Sequence, residues 1–379
     1  MRPSFRLLSQ AAKTPTRSSS IGFIGLGAMG REMAHHLVTK TLAERTQQGR
    51  PTSFVVCDSD HATVTRFIDG HSSQIAAKAG HTLVPTAQPS SVAKLCGTVV
   101  TMLPSSPQVR DVYLGEGGIM AGLQDASPTA QEDGTLLIDC TTCDRATGVE
   151  VAAKMGETYG PSSGPSSAVT MLDAPVSGGV SGAAAATLTF LVGSNNTAAF
   201  EQARDAVLSK MGARAIHCGP NGAGLTAKIA NNLVLGATML ATAEAMALGV
   251  KGGLSAELLA HVLNTSTGRS WSSEVNNPAP GALRGTKHSP PADRHWEGGF
   301  AARLQAKDLR LALAAAEDVG LLVPMATMAS KIYDRMESMD EYKFKDFSVA
   351  FKALLDSAEA AQAEKREAAA AREKAGVAV

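Results

Sequence analysis

Residues 21–30 read Ile-Gly-Phe-Ile-Gly-Leu-Gly-Ala-Met-Gly, a short β-prone run followed at once by a Gly-x-Gly-x-x-Gly loop. A helical pattern through Met33 and Leu37 then begins. This strand–loop–helix context gives the glycines separate tasks. Gly25 permits a tight turn, Gly27 lets backbone approach a pyrophosphate, and Gly30 allows close helix–strand packing. Leu26, Ala28 and Met29 complete the loop, so a diphosphate would sit against the free N–H groups of a helix N-terminus.

Further apolar runs occur at 54–58, 98–104, 135–141, 169–175 and 188–193, separated by helical stretches. Such alternation predicts an α/β, doubly wound parallel sheet, a Rossmann-type domain placed at 21–219. The second run, Phe54-Val55-Val56-Cys57-Asp58, ends on the acid expected to bind the ribose hydroxyls of an adenine dinucleotide. Asp58 lies 28 residues past Gly30, against an expected ~20, and a polar insertion at 41–52 accounts for the excess. A carboxylate there repels a 2′-phosphate, which predicts NAD over NADP. Asp60 is the competing acid, past the strand end.

The 379 residues are enough for two ordinary domains, and 44% hydrophobic against 18% charged residues predicts packed cores. Lys plus Arg and Asp plus Glu are 35 each, so no global field favours nucleic acid or an anionic membrane. Five cysteines form no disulfide framework and suit a reducing compartment. The uncharged apolar run 233–243 covers 11 residues, short of the ~20 of a membrane helix, so a soluble chain is expected.

Residues 1–20 hold Arg2, Arg6, Lys13 and Arg17 among serines and no acids, the composition of a mitochondrial transit peptide or of a basic tail. After Cys218-Gly219-Pro220-Asn221-Gly222 the chain becomes Ala- and Leu-rich, predicting an all-helical domain at 220–355 that opens with a long helix over 225–250. Residues 276–299, rich in Pro and Gly, read as a loop, and 356–379 as an Ala/Glu/Lys-rich tail. Lys228 stands near the start of the long helix, with Asn232 one turn later on the same face. A solvated surface lysine is the plain alternative. Ser177-Gly178-Gly179 follows a strand end, where hydroxyl and N–H groups suit a carboxylate or simply form a turn. Cys140 and Cys143 form a lone CxxC, and His35-His36 fit no zinc pattern, so no metal is expected.

Together GFIGLGAMG, TMLPSSPQV at 101–109, DAPVSGG at 173–179, GAGLTAKIANN at 222–232 and FAARLQAKDLRLA at 300–312 resemble the β-hydroxyacid dehydrogenases over nearly all of 21–350. Segments 268–281 and 345–348 are most similar to members that oxidise 3-hydroxyisobutyrate in mitochondria. The resemblance implies that Lys228 is the catalytic lysine and that Asn232 binds substrate or holds the lysine. It implies that Ser177, Gly178 and Gly179 contact the substrate carboxylate. On the cofactor side it implies Leu103, Pro104 and Gln108 in one loop, Thr142 after the next strand, and Phe300 with Lys307. It departs at Ala185-Ala186, where the family usually has glycine. A matrix-located enzyme of valine breakdown, dimeric or tetrameric, is the expectation, with a small hydroxyacid as its partner. An NADPH-dependent semialdehyde reductase and a non-catalytic dinucleotide-binding protein are the rivals.

Overall fold

The computed structural model describes residues 15–76, 78, 80–126, 134–159 and 169–374. Two compact units divide the chain, one running through Lys228 and the other starting at Ile229.

Among the described residues the first unit has nine strands: β1 (Ile21–Ile24), β2 (Ser53–Cys57), β3 (Thr82–Thr86), β4 (Thr98–Thr101), β5 (Thr135–Asp139), β6 (Val169–Asp173), β7 (Val176–Ser177), β8 (Leu188–Gly193) and β9 (Gly212–Gly219). They lie in the order 3-2-1-4-5-6-8-7, with β9 also paired to β8. Successive side chains of a strand point to opposite faces, and both faces are covered here. Phe54 and Val56 enter one core with Phe23, Leu37, Val100 and Ile138. Val55 and Cys57 enter the other with Ile24, Val99, Tyr113 and Leu137. Burial on both sides is why these strands read as continuous apolar runs.

Pairing is parallel from β3 through β6. It then reverses, because β8 runs antiparallel to β6 and β7. The expected parallel, doubly wound sheet thus carries an antiparallel edge. Only the short helix Gly179–Ala184 lies between β7 and β8, too little chain to cross back along the sheet.

Residues 1–14 of the expected presequence lie outside the described residues. Residues 15–20 belong to the first unit. Arg17–Ser19 forms a 3₁₀ turn. The Arg17 guanidinium donates to Gly134 O at 3.2 Å, Ala93 O at 3.1 Å and Thr135 Oγ1 at 2.7 Å.

The long helix spans Ala223–Lys251, and the division between the two compact units falls inside it. Its first turn packs in the first unit because Leu225 fills the space over Gly148, where a Cβ would meet Leu225 Cδ1 at 2.3 Å. By length and composition this helix is apolar enough to cross a membrane, with 33% of its apolar 18-residue window buried. The apolar character continues past Asn232 and Glu244, which bound the 11-residue run, and this is why run length understated it.

In the second unit the helices Ala256–Thr265, Ala302–Asp318, Pro324–Glu337 and Ala350–Lys374 join the long helix. Met239, Ala243, Met246, Ala302, Ala306, Leu309, Tyr333, Met336 and Phe347 form the core. Small Ala and Gly residues let the helices approach: a Cβ on Gly236 would meet Gln305 Nε2 at 2.5 Å. Residues 276–299 are mostly turns, with a 3₁₀ turn at Pro291–Arg294. The expected tail is helical through Lys374, exposed from Ser357 to 369.

Candidate active site

In a doubly wound sheet ligands bind at the carboxyl ends of the strands, where the strand order reverses. Here that point lies between β1 and β4. The structure brings most of the sequence-predicted residues of the first unit to these ends.

Gly25 follows β1 with φ +94°, and its Cβ would strike Met102 O at 2.2 Å. A Cβ on Gly30 would strike Gly25 O at 1.9 Å. A Cβ on Gly27, in contrast, would meet nothing within 4 Å, which leaves backbone open to a ligand between two obligatory glycines. The helix Ala28–Gln47 begins there with its N-terminal N–H groups. Leu26 is buried beneath the loop, while Ala28 is exposed and Met29 half-buried. Asp58 is half-buried one residue past β2, and its Oδ2 accepts from Leu26 N at 2.6 Å. Oδ1 accepts from Asp60 N at 2.8 Å. Asp60 instead binds its own helix start, Ala62 N and Thr63 Oγ1, so Asp58 is the acid attached to the loop. An open glycine, a helix N-terminus and an acid beside it fit a dinucleotide.

The next two strand ends are tied together. Leu103 N donates to Thr141 Oγ1 at 2.9 Å, and Thr141 N donates to Asp139 Oδ1 at 3.1 Å. Thr101 Oγ1 donates to the same oxygen at 2.8 Å and pairs with Tyr113 OH at 2.9 Å. Asp139 is fully buried, and desolvation pushes its carboxyl up to about 6. Leu103 and Thr142 are half-buried on top of this network, with Pro104 exposed beside them. Gln108 is exposed and accepts from Ser105 Oγ at 2.5 Å. Cys140 and Cys143 are buried beneath the same loop and form no disulfide.

β6 leads through Pro175 into Ser177, which is half-buried, and then Gly178 and Gly179 with φ +134° and +62°. The two positive φ values mark a glycine turn at the start of the helix Gly179–Ala184, the kind of backbone from which anion-binding nests are built. Lys228 is 8% exposed, one turn into the long helix. That helix starts on Asp173, whose Oδ1 accepts from Gly222 N at 2.7 Å and whose Oδ2 accepts from Leu225 N at 3.1 Å.

Within the second unit, Asn232 is 1% exposed, and its Nδ2 donates to Asp308 Oδ2 at 2.5 Å. Asn231 Nδ2 donates to Asn232 Oδ1 at 3.0 Å. Lys307 lies 3.2 Å from Asp308 Oδ1, and Gln305 Nε2 donates to Asn232 O at 3.2 Å. Phe300 is half-buried and stacks edge-on to Phe347 at 5.9 Å. Buried Asp346 holds it there, accepting from Phe300 N at 2.8 Å. Asp308, Asp139, Asp173 and Asp346 were assigned no role from the sequence. The available signal was the acid directly after Lys307 and the acids that close β5 and β6.

Residues 20–219 match the family model of the NAD binding domain of 6-phosphogluconate dehydrogenase. Residues 222–354 match the NAD-binding model of NADP-dependent 3-hydroxyisobutyrate dehydrogenase. The chain is similar to the probable mitochondrial 3-hydroxyisobutyrate dehydrogenase of Arabidopsis thaliana, 38% identical over 92% of this chain and 91% of that protein. It is 37% identical to the NAD-dependent L-serine dehydrogenase of Pseudomonas aeruginosa, over 87% of this chain and 95% of the relative. The Mycobacterium tuberculosis 3-hydroxyisobutyrate dehydrogenase solved with L-serine superposes with a TM-score of 0.71 at 33% identity, over 89% of this chain and 99% of that one. With a dinucleotide loop built as described and relatives matched along almost its whole length, the chain is an NAD-binding oxidoreductase that belongs to the 3-hydroxyisobutyrate dehydrogenase family.

Proposed function

We propose that this enzyme oxidises 3-hydroxyisobutyrate to methylmalonate semialdehyde in valine breakdown, with Lys228 as general base. Bound NAD supplies the hydride acceptor. Gly25, Leu26, Gly27, Ala28, Met29 and Gly30 hold its diphosphate, and Asp58 its adenosine ribose. Leu103, Pro104, Gln108, Thr142, Phe300 and Lys307 serve the remainder of the cofactor. The nest of Ser177, Gly178 and Gly179 takes the substrate carboxylate, which fixes the reacting carbon. Lys228 Nζ accepts the hydroxyl proton in the forward direction and returns it in reverse. Asn232, its amide oriented by Asp308, binds substrate or steadies the lysine.

The observation that carries this reading is the place of Lys228, a buried lysine one turn from a helix start that is anchored to the strand leading into the nest. L-Serine is the second substrate to consider, because one relative is named for it and one similar structure was solved with it. It shares the carboxylate and the primary alcohol and differs at the central carbon. Mitochondrial, matrix localisation is supported by the acid-free basic residues 1–20 and by relatives named mitochondrial. A homodimer or homotetramer is supported by apolar side chains left exposed on the second unit, among them Val234, Leu248, Leu322 and Met325.

The test is the appearance of reduced nicotinamide absorbance with protein lacking residues 1–14, offered NAD or NADP with 3-hydroxyisobutyrate, L-serine and other small hydroxyacids. The expected result is NAD reduction fastest with 3-hydroxyisobutyrate. In Lys228→Ala the rate drops by about 10²–10⁴, the contribution of a positioned base, while NAD affinity is kept. Near-wild-type turnover in that variant sinks the assignment of the base, and fastest turnover of L-serine overturns the substrate.

A further inference from the structure

Asp173 is 3% exposed at the carboxyl end of β6, and its carboxylate is spent on backbone. It accepts from Gly222 N and Leu225 N, donors that open the helix carrying Lys228. Helices are ordinarily capped by a residue of their own N-terminal loop. This one is capped from a strand about fifty residues earlier in the chain. The surroundings are shaped to admit that carboxylate. A Cβ on Gly193 would meet Asp173 Oδ1 at 2.4 Å. One on Gly224 would meet Leu191 O at 2.2 Å and Asp173 Oδ2 at 2.9 Å. Burial raises the Asp173 carboxyl, and the backbone donors oppose that rise.

Two lengths of chain leave this point. Four residues after Asp173 stands Ser177, at the nest. Three residues after Leu225, one helical turn, stands Lys228. A single carboxylate therefore sets the separation between the group that removes the proton and the groups that hold the substrate. We propose that Asp173 is a positioning residue of the reaction, anchoring the Lys228 helix to the strand that enters the Ser177-Gly178-Gly179 nest. This rests on the reading of Lys228 as the base.

A misplacement of about 1 Å costs on the order of a hundredfold in rate. Asp173→Asn keeps one oxygen acceptor and is expected to lower kcat by about tenfold, Asp173→Ala by about a hundredfold. The KM for NAD stays within about twofold in both, because the dinucleotide loop is not attached to this carboxylate. A merely structural loss would raise that KM as kcat falls. Steady-state kinetics with 3-hydroxyisobutyrate, or with whichever acid turns over fastest, would be run on these variants beside Lys228→Ala. Wild-type kcat in Asp173→Ala overturns the proposal, as does a KM for NAD that rises in step. If neither variant folds, Gly224→Ala decides, since its added Cβ displaces the helix without removing charge. Lower kcat at unchanged KM for NAD supports the anchoring role, and unchanged kcat overturns it. An active Lys228→Ala removes the base assignment and this proposal with it. An inert Lys228→Ala beside a fully active Asp173→Ala removes the proposal alone.

Discussion

Three buried carboxylates, Asp139, Asp173 and Asp346, are stabilised mainly by neutral donors, and burial raises all three. Asp346 shows how thorough the compensation is. It accepts from Asn276 Nδ2, Ser348 N, Ser348 Oγ and Phe300 N. Neutral donors offset part of the desolvation that an ion suffers, and the residue of that penalty is visible as pH dependence. For Asp139 the carboxyl rises from 3.8 to about 6. A group that is more basic when folded binds its proton longer in the native state. Its contribution to stability is therefore complete below about pH 4 and is lost as pH climbs to about 6. The loss is on the order of 3 kcal/mol at 1.36 kcal/mol per pKa unit. Asp139→Asn keeps an oxygen for Thr101 and Thr141 but cannot ionise. Urea unfolding at pH 4 and pH 7 should show wild type losing stability relative to the variant by about that amount. A difference that stays constant with pH would mean that Asp139 titrates alike in both states.

At the scale of elements, the departure noted at Ala185-Ala186 becomes a measurable strain. The helix Gly179–Ala184 ends with Ala185 N and Ala186 N bonded back to Ser181 O and Ala183 O, and Thr187 N reaches Gly182 O at 2.8 Å. That closure requires a left-handed residue, and Ala186 supplies it at φ +51°. The left-handed conformation costs a residue with a Cβ about 1–2 kcal/mol. Glycine escapes this but loses about 0.5–1 kcal/mol in chain entropy. Ala186→Gly is thus expected to stabilise the first unit by up to about 1 kcal/mol, a rise of about 2–4 °C in Tm. A lower Tm would show that the Ala186 methyl contributes packing worth more than its strain. The same turn illustrates which features a sequence makes legible. Strands covered on both faces announce themselves as apolar runs, and the glycine loop as a fixed spacing. β3 contains Pro85 and lies at an edge, and β9 has mostly partly exposed or exposed residues, so neither carries that signal. Spacing on one helix left Lys228 open to a solvated surface reading, and it was the family resemblance that singled out Lys228 and Asn232. Asp173 and Asp308 were not singled out, because their partners lie far away in sequence and only folding brings them together.

At the scale of the whole molecule, the first unit begins earlier than its first apolar run. Arg17 carries no hydrophobic signal, and a basic, serine-rich segment through residue 20 reads as removable. Yet its guanidinium takes main-chain carbonyls from Gly134 and from Ala93, which precedes β4, and the hydroxyl of Thr135 in β5, and its own carbonyl accepts from Gly97 N at 2.7 Å. Gly97 is fitted to it, since a Cβ there would lie 3.0 Å from Ser18 Cα. This clamp closes the amino-terminal end of β4 and β5, opposite the strand ends that hold the candidate site. Its loss should therefore act on stability rather than on kcat. Hydrogen bonds from a charged donor are worth about 1.5–3 kcal/mol when intact, less where water reaches them. Protein beginning at residue 21 is expected to be about 2–4 kcal/mol less stable than protein beginning at residue 15, with Tm lower by about 5–10 °C. Arg17→Ala in the longer form should recover most of that difference. Equal melting of the two truncations would make the clamp passive. If the clamp holds, a cut that leaves Arg17 in place preserves the sheet, whereas a cut after residue 20 delivers the first unit with its β4 and β5 ends loosened.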